Sequence, residues 1–102
     1  MTWRIVFSPE AEEQLINLYR DIANDRSPEI AVRYTDAIIT HCESLQTFPH
    51  RGTSRDDIRP GLRITHYRKR TVIAFTPDRE TGNVMIIGIF YGGQNYEDAL
   101  AS

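Results

Sequence analysis

Residues 83–91, Asn-Val-Met-Ile-Ile-Gly-Ile-Phe-Tyr, decide the fold of this chain. From Met85 to Phe90 the stretch is apolar at nearly every position, which is typical of a strand that is buried on both faces or lies in the centre of a sheet. Two further strands are predicted upstream of it, over residues 62–67 and 71–76. Because the connections between the three strands are short, we expect an antiparallel meander.

Two helices are predicted before the meander, and the same signal starts each of them. Ser8-Pro9-Glu10 and Ser27-Pro28-Glu29 both combine a serine N-cap, a proline at the first helical position and an early acid. Apolar residues then recur at helical spacing, and we expect the helices to end near Asn24 and before Pro49. The first apolar stripe consists of Ala11, Leu15, Leu18 and Ile22, widened by Ile16, Tyr19 and Ala23, and the second of Ala31, Tyr34, Ile38, Cys42 and Leu45.

The order of these elements predicts an α+β fold. Residues 3–7 are short, aromatic and β-branched, which indicates an N-terminal strand. The complete order is β-α-α-β-β-β, in which an antiparallel two-helix hairpin packs on one face of an antiparallel sheet and the first strand joins that sheet at an edge. Residues 50–61 are expected to form a loop, and residues 92–102 a tail that is polar apart from Tyr96 and Leu100.

Length and composition limit the classes of protein. A chain of 102 residues is expected to form a single domain over residues 1–102, and its 40% hydrophobic and 25% charged content is ordinary for a soluble globular protein. No apolar run approaches the ~20 residues that a membrane span needs. The N-terminus lacks a signal-peptide pattern and Cys42 is the one cysteine, so we expect a cytoplasmic protein without disulfides or membrane contact.

The basic residues are concentrated in one part of the chain. Residues 50–70 contain seven of the twelve Lys and Arg residues but two of the fourteen Asp and Glu residues, although the whole chain has a net charge of −2. Arginine is suited to bidentate contacts with carboxylates and phosphates. Two interpretations stay open, because these arginines either pair with nearby acids within the fold or form a binding surface.

Signatures of catalysis and of metal binding are few. The chain has no phosphate-binding loop and no dinucleotide glycine pattern, and His41, His50 and His66 lack the spacing of metal ligands, so we expect no cofactor and no metal. Cys42, inside an apolar stripe, is interpreted as a core residue. One group of basic and aromatic residues could hold an RNA phosphate and stack a base, or could simply be amphipathic sheet residues. It consists of Arg63, His66, Arg68, Lys69, Arg70, Tyr91 and Tyr96.

Several segments, each weak alone, are specific in their order and spacing. They are Val6 to Leu15, Ser27 to Tyr34, an L-x-x-F-P-x-x-G corner from Leu45 to Gly52, an R-x-G-x-R motif from Arg59 to Arg63, Thr71 to Phe75, and Ile86 to Tyr96. Together, over about residues 4–98, they resemble the ParE branch of the RelE/ParE toxins of bacterial toxin–antitoxin systems. The resemblance implies a helical hairpin against a curved antiparallel sheet, which agrees with the fold predicted from the residues.

The resemblance also implies a function. ParE-type toxins are linked to the inhibition of DNA gyrase and are held inactive by a ParD-like antitoxin, whose C-terminal segment wraps the toxin and whose N-terminal part binds operator DNA. The toxin therefore meets operator DNA only through the antitoxin, in a hetero-oligomer expected to be a heterotetramer or larger. RelE-like relatives instead cleave messenger RNA on the ribosome, and this alternative would make Arg70 and Tyr91 catalytic. Phe90 cannot transfer a proton and the sequence pI is near 5.9, so we favour a toxin that acts by binding.

Two sets of site residues are predicted on this basis. The first combines the apolar stripe of the first helix with arginines that would pair with antitoxin acids, and the second lies where the last strand meets the tail. The antitoxin is expected to contact Leu15, Leu18, Tyr19, Ile22, Arg59, Arg63 and Arg70. The cellular target is expected to contact Tyr91, Gln94, Asn95 and Tyr96.

Overall fold

The predicted elements all form, in the predicted order, and two short elements are added to them. The computed structural model describes residues 3–101. Its elements are β1 (Arg4–Phe7), α1 (Pro9–Asp25), α2 (Pro28–Glu43), a 3-10 turn (Ser44–Gln46), β2 (Thr53–Ser54), β3 (Arg63–Tyr67), β4 (Thr71–Asp78), β5 (Asn83–Tyr91) and α3 (Tyr96–Ala101). The additions are β2 and α3, and the 3-10 turn takes the place of the last turn predicted for the second helix, which ends at Glu43. Within the described range, no helix combines the length and the apolar character that crossing a membrane requires.

Serine caps start both long helices, as the sequence predicts. Ser8 Oγ accepts a hydrogen bond from the backbone N–H of Ala11 at 3.1 Å, and Ser27 Oγ accepts one from the N–H of Ile30 at 3.2 Å. Each cap satisfies a backbone donor at the helix end and is worth about 1 kcal/mol. The two helices pack against each other, and α1 packs on β5, so the predicted hairpin on the sheet is confirmed.

The sheet has five strands in the order β1-β5-β4-β3-β2. The meander from β3 to β5 is antiparallel and β5 is an interior strand, as predicted. β1 lies at the expected edge but pairs with β5 in parallel, with Arg4 opposite Asn83, so the expectation of a wholly antiparallel sheet needs correction there. Parallel pairing requires a long connection, and here the helical hairpin and the meander separate the two strands.

A β-bulge in β5 explains why its sequence shows no alternation. Ala74 is opposite Gly88 and Phe75 is opposite Ile86, so Ile87 has no partner across the strand pair. An extra residue in one strand reverses which side chains face which side of the sheet. Before the bulge, the even-numbered residues Val84 and Ile86 face the helices. After the bulge, the odd-numbered residue Ile89 faces them.

The residues expected to form a loop contain the two-residue strand β2. Thr53 pairs with Ile64 and Ser54 with Arg63, a ladder too short to give an alternating sequence pattern. Gly52 precedes it with φ +83°, and a Cβ at this position would overlap the carbonyl oxygen of Ile64. The glycine that closes the L-x-x-F-P-x-x-G corner is therefore required both by its backbone conformation and by the close approach of two chain segments.

The sheet carries a hydrophobic core on each face. The helix-side core lies between the helices and the sheet and contains Ala11, Leu18, Ile38, Cys42, Leu45, Ile73, Phe75, Val84, Ile86 and Ile89. The second core consists of Leu62, Ile64, Ala74, Phe90 and Leu100. Leu100 belongs to α3, so the tail is not simply polar, and this short helix packs on the second core. Its sequence signal is weak because Tyr96 and Leu100, four residues apart, are its two large apolar residues.

Candidate functional site at the β3–β4 turn

Three tyrosines from three elements meet where the meander turns. The Tyr34 ring of α2 stands edge-to-face against Tyr67 of β3 and Tyr91 of β5, with ring centroids 5.9 and 5.7 Å apart. Its hydroxyl lies 2.8 Å from Oγ1 of Thr71, which is fully buried at the start of β4. Edge-to-face aromatic pairs contribute about 1 kcal/mol each beyond their buried area. The contacts fix α2 over this end of the sheet.

Arginines from the turn lie over two of these rings. The guanidinium of Arg68 is 5.6 Å from the centroid of Tyr67, and Nε donates a hydrogen bond to the Tyr67 hydroxyl at 3.3 Å. The guanidinium of Arg70 is 5.5 Å from the centroid of Tyr91. Both arginines are exposed, and neither forms a salt bridge among residues 3–101. The turn therefore presents positive charge beside exposed aromatic surface.

A groove opens between α2 and this turn. Its volume is about 580 Å³, within the range of small-ligand and side-chain sites. Apolar and aromatic side chains form its floor, and arginines stand at its edge. The lining residues are Ile30, Arg33, Tyr34, Ala37, Tyr67 and Arg68. We call this the α2–turn groove.

His41 closes the cluster on the side of α2. Its ring centroid is 5.4 Å from that of Tyr67, and its Nε2 is buried without a hydrogen-bond partner among the described residues. Burial lowers the pKa of His41, and the charge of Arg51 lowers it further. The imidazole is therefore neutral at physiological pH and adds no cation to the cluster.

The remaining candidates for chemistry are separated from the cluster. Burial, with a smaller effect of Glu43, raises the pKa of the Cys42 thiol to about 12, so this thiol is a core group and no nucleophile. The ring of His50 packs edge-to-face on Trp3 at 6.0 Å, and His66 is exposed on β3. Within residues 3–101 no three His, Cys, Asp or Glu side chains are grouped as metal ligands.

The seven basic residues of the stretch fall into two groups. Arg51 belongs to the first, since its guanidinium donates to Oγ of Ser44 at 3.0 Å. Arg55, Arg59 and Arg63 hold the fold together, since Arg55 pairs with Asp57 and Glu97 and donates to the Tyr96 hydroxyl at 2.8 Å. Arg59 donates to the carbonyl of Leu100 at 2.9 Å, and Arg63 to the carbonyls of Arg51 and Gly52 at 3.0 and 3.2 Å. The other group, Arg68, Lys69 and Arg70, is exposed at the turn. The interpretation as contacts within the fold therefore applies to the first group, and the interpretation as a binding surface stays a prediction for the group at the turn.

The residues predicted to contact an antitoxin do not form one surface. Leu18 is 5% exposed and belongs to the helix-side core, and Leu15 and Ile22 pack partly buried against it. Tyr19 is half-buried. Arg59 and Arg63 serve the internal contacts described above, whereas Arg70 is exposed at the turn. The apolar spacing that predicts a docking stripe thus reflects mainly the packing of α1 on α2 and on the sheet.

The residues predicted to contact a target are consecutive along the chain but serve different parts of the fold. Tyr91 belongs to the tyrosine cluster, and its backbone N–H donates to Oε1 of Gln94 at 2.8 Å. Asn95 Oδ1 accepts from the N–H of Asp98 at 3.2 Å, which caps α3. Tyr96 packs on Phe90 on the opposite face of the sheet. Gln94 and Asn95 are exposed, and Tyr91 is half-buried beside them.

Sequence reasoning missed the contribution of α2 to this site. The sequence places Tyr34 only in a core stripe, and it gives Ile30 and Arg33 no role beyond their place in the Ser27 to Tyr34 segment. Ile30 is an apolar residue that is 38% exposed, which only the structure can show. The available hint was the hydroxyl of Tyr34, since a tyrosine in a buried stripe needs a polar partner.

The comparison of sequences gives the family of the chain. The chain matches the family described as ParE toxin of type II toxin-antitoxin system, parDE, over residues 5–96. It belongs to the ParE toxin family. No curated protein matches the chain.

Solved structures share the fold. A chain from the chromosomal ParDE TA system from P. aeruginosa is 19% identical, with a TM-score of 0.76 over 88% of this chain and 96% of that one. A chain of the toxin-antitoxin complex RelBE2 from Mycobacterium tuberculosis is 17% identical, with a TM-score of 0.64 over 89% and 99%. At these identities the two likenesses establish the α+β architecture.

Proposed function

We propose that this ParE-family toxin acts by binding, that its target is DNA gyrase, and that a ParD-like antitoxin neutralises it. Membership of the family supports the toxin function. The resemblance in sequence supports gyrase as the target. Two similar folds come from systems described as a ParDE toxin–antitoxin system and a RelBE2 toxin–antitoxin complex, which supports an antitoxin partner for this chain.

The observation that carries the non-enzymatic function is the surroundings of Arg70 and Tyr91. Arg70 lies over the Tyr91 ring, and the nearest aromatic partner of Tyr91 is Tyr34. General acid–base catalysis of RNA cleavage requires a positioned proton donor and acceptor. Phe90, the neighbour of Tyr91, is 5% exposed in the second core, on the opposite face of the sheet. The pair therefore suits stacking and charge contacts better than proton transfer.

We propose that the antitoxin contact uses the surfaces that the fold leaves accessible. Tyr19, Ile22 and Leu15 offer the outer part of the α1 stripe, and Arg70 offers charge at the turn. Leu18 supports the stripe from the core, and Arg59 and Arg63 hold the loop before β3 in place. The complex is proposed to be a hetero-oligomer, a heterotetramer or larger, which meets operator DNA through the antitoxin in the cytoplasm.

The gyrase contact is proposed for the segment that follows β5. Gln94 and Asn95 are exposed, and their hydrogen bonds to Tyr91 and Asp98 hold them in a defined conformation. Pre-ordered polar groups lose less conformational entropy on binding than flexible ones do. Tyr91 and Tyr96 precede and follow them in the chain, and each half-buried ring leaves part of its aromatic surface accessible, the residue type that interfaces favour.

Controlled expression in bacterial cells tests the toxin function and its mode of action together. Induction of the wild-type chain is expected to arrest growth, co-expression of the antitoxin encoded beside it to restore growth, and messenger RNA to stay intact in primer-extension assays. Tyr91→Phe, which keeps the ring and removes the hydroxyl, is expected to remain toxic. Cleaved transcripts that disappear in Tyr91→Phe would contradict the binding mechanism and identify a ribosome-dependent nuclease.

A further inference from the structure

The α2–turn groove has a floor built for an apolar side chain. Ile30 is 38% exposed, and Ala37 between the larger neighbours Tyr34 and Tyr67 leaves the depression that the groove occupies. Exposed apolar surface in a concave site marks a place for a partner group. The first determinant of the occupant is therefore an aliphatic or aromatic side chain that fits among these residues.

The arginines at the edge of the groove determine the charge of the segment that fits it. Arg33 and Arg68 line it from opposite elements, and Lys69 and Arg70 follow in the same turn. Among residues 3–101, all salt bridges involve Arg55, so neither Arg33 nor Arg68 is paired with a carboxylate of its own fold. Two unpaired guanidinium groups that line an apolar groove from different elements are complementary to carboxylates near an apolar residue of the partner.

The backbone at the turn points to a role for Arg68 itself. Arg68 has φ +56°, the left-handed conformation, and it is the one non-glycine residue with positive φ among those described. Glycine or asparagine adopts this conformation at lower cost, so a turn selected for stability alone would favour them. The side chain is also ordered, since it donates to the Tyr67 hydroxyl and stacks on the Tyr67 ring. A strained residue with an ordered, unpaired charge is typical of a binding site.

The neighbouring strand edge allows an extended partner. β2 pairs with Arg63 and Ile64, and in residues 3–101 no strand pairs with the outer edge of β3 beyond them. The unpaired part of this edge runs from Thr65 to Tyr67, and Tyr67 lines the groove. An extended peptide could therefore add backbone hydrogen bonds beside β3 while its side chains enter the groove.

We propose that the α2–turn groove binds an acidic, extended segment of the antitoxin, which places one large apolar side chain on Ile30, Ala37 and Tyr67 and carboxylates on Arg33 and Arg68. The inference rests on the proposed function, because it assigns the place and the chemistry of antitoxin recognition. A protein segment is favoured over a nucleic acid because the floor is apolar and the sequence pI is near 5.9. Arg68 is the residue that sets the preference for an acidic partner.

Calorimetry of the full-length chain with the purified antitoxin encoded beside it tests this assignment at low and moderate salt. In Arg33→Glu/Arg68→Glu two unpaired cations are reversed, and Kd is expected to rise about 30-fold or more at low salt. Ala37→Trp, which fills the groove, is expected to raise Kd about 10-fold without a change in charge. The matched control Arg20→Glu/Arg79→Glu makes the same charge change at two exposed arginines outside the groove and is expected to change Kd about 2-fold or less.

The outcomes separate the inference from the proposed function. If the antitoxin binds the wild type and the groove and control variants alike, the groove assignment is overturned and the toxin–antitoxin function stands. If the antitoxin fails to bind the wild type, the proposed function fails first. A short single-stranded RNA or DNA of mixed sequence that binds the wild type more tightly than the antitoxin does, and is lost in Arg33→Glu/Arg68→Glu, would assign the groove to nucleic acid and overturn the proposal. Far-ultraviolet circular dichroism shows whether each variant is folded. If Ala37→Trp does not fold, Arg33→Glu/Arg68→Glu, which changes two exposed side chains, still decides the test.

Discussion

The guanidinium of Arg59 lies 2.9 Å from the carbonyl oxygen of Leu100, so the loop before β3 is joined directly to the last turn of α3. The Arg55–Glu97 salt bridge at 2.8 Å makes a second connection between the same two segments. Beneath them lies the second core, which includes Phe90 and Leu62. The C-terminal helix is therefore a structural cover for one face of the sheet as well as a neighbour of the proposed target contact.

Loss of this cover is expected to destabilise the protein. Leu100→Ala removes an apolar side chain that is 7% exposed and should lower the free energy of unfolding by about 2 kcal/mol. Arg59→Ala should lower it by about 1 kcal/mol, since the Leu100 carbonyl loses its charged donor. Urea denaturation measures both, with Arg79→Ala, at an exposed arginine of the β4–β5 connection, as the control. A wild-type midpoint in Leu100→Ala would show that α3 does not cover the second core.

The tyrosine cluster should depend on one hydroxyl. Tyr34→Phe keeps the edge-to-face contacts but leaves Oγ1 of the buried Thr71 without its partner at 2.8 Å, and we expect a loss of about 1 kcal/mol in the free energy of unfolding. Tyr19→Phe, at a half-buried tyrosine for which the structure shows no side-chain hydrogen bond among residues 3–101, is the matched control. Thermal or urea unfolding compares them. Equal stability of the two variants would contradict a structural role for the Tyr34 hydroxyl.

Arg68 should show opposite effects on stability and on binding. Asparagine tolerates positive φ better than arginine does, so Arg68→Asn is expected to leave stability unchanged or raise it by about 0.5 kcal/mol, although it loses the contact with Tyr67. The same variant is expected to bind the antitoxin more weakly because a cation at the groove is gone. Urea denaturation and calorimetry measure the two properties. A destabilisation of more than about 1 kcal/mol would indicate that Arg68 serves the fold rather than the partner.

His41 should make stability depend on pH in the acidic range. Its pKa in the folded protein is lowered by burial and by Arg51, so protonation favours the unfolded state. The stabilisation from the neutral imidazole is complete above the unfolded pKa of about 6.5 and is lost as the pH falls toward the lowered folded pKa. We therefore expect the free energy of unfolding to fall less between pH 7.5 and pH 5 in His41→Gln than in the wild type. Urea denaturation at both pH values measures this difference.

His66, which is exposed, provides the control for that measurement. His66→Gln is expected to retain the pH dependence of the wild type, because the exposed side chain of His66 stays in contact with water when the protein folds. If His41→Gln and His66→Gln follow the same pH profile as the wild type, the buried imidazole is not the source of the acid sensitivity.

The elements that the sequence predicted best are those with local causes. Ser8 and Ser27 start helices through contacts three residues away, and the apolar run around Ile86 marks an interior strand wherever it pairs. The parallel pairing of β1 and the bulge at Ile87 depend on contacts between distant segments. A pattern of residues along one segment carries little information about either.

The site was predicted only in part for the same reason. Composition identified the basic stretch but not the role of each arginine in it. Arg59 stabilises the fold through a hydrogen bond to the carbonyl of Leu100, 41 positions away, and such a distant contact cannot be read from the local sequence. Arg68 and Arg70 remain exposed because the turn carries them beyond the sheet. Tyr34 reaches the site from α2 through tertiary packing. Its helical spacing predicts that the side chain is buried but does not predict which residues it contacts.

We propose that this chain inhibits DNA gyrase and that an antitoxin prevents the inhibition. A supercoiling assay with purified gyrase and relaxed plasmid, with and without the antitoxin encoded beside the chain, tests it most directly. With the toxin, supercoiling is expected to be lost and cleaved DNA to accumulate, and supercoiling is expected to recover when the antitoxin is added. Gln94→Ala/Asn95→Ala is expected to weaken this inhibition and to retain antitoxin binding. Full supercoiling activity at a large excess of folded toxin would show that gyrase is not the target.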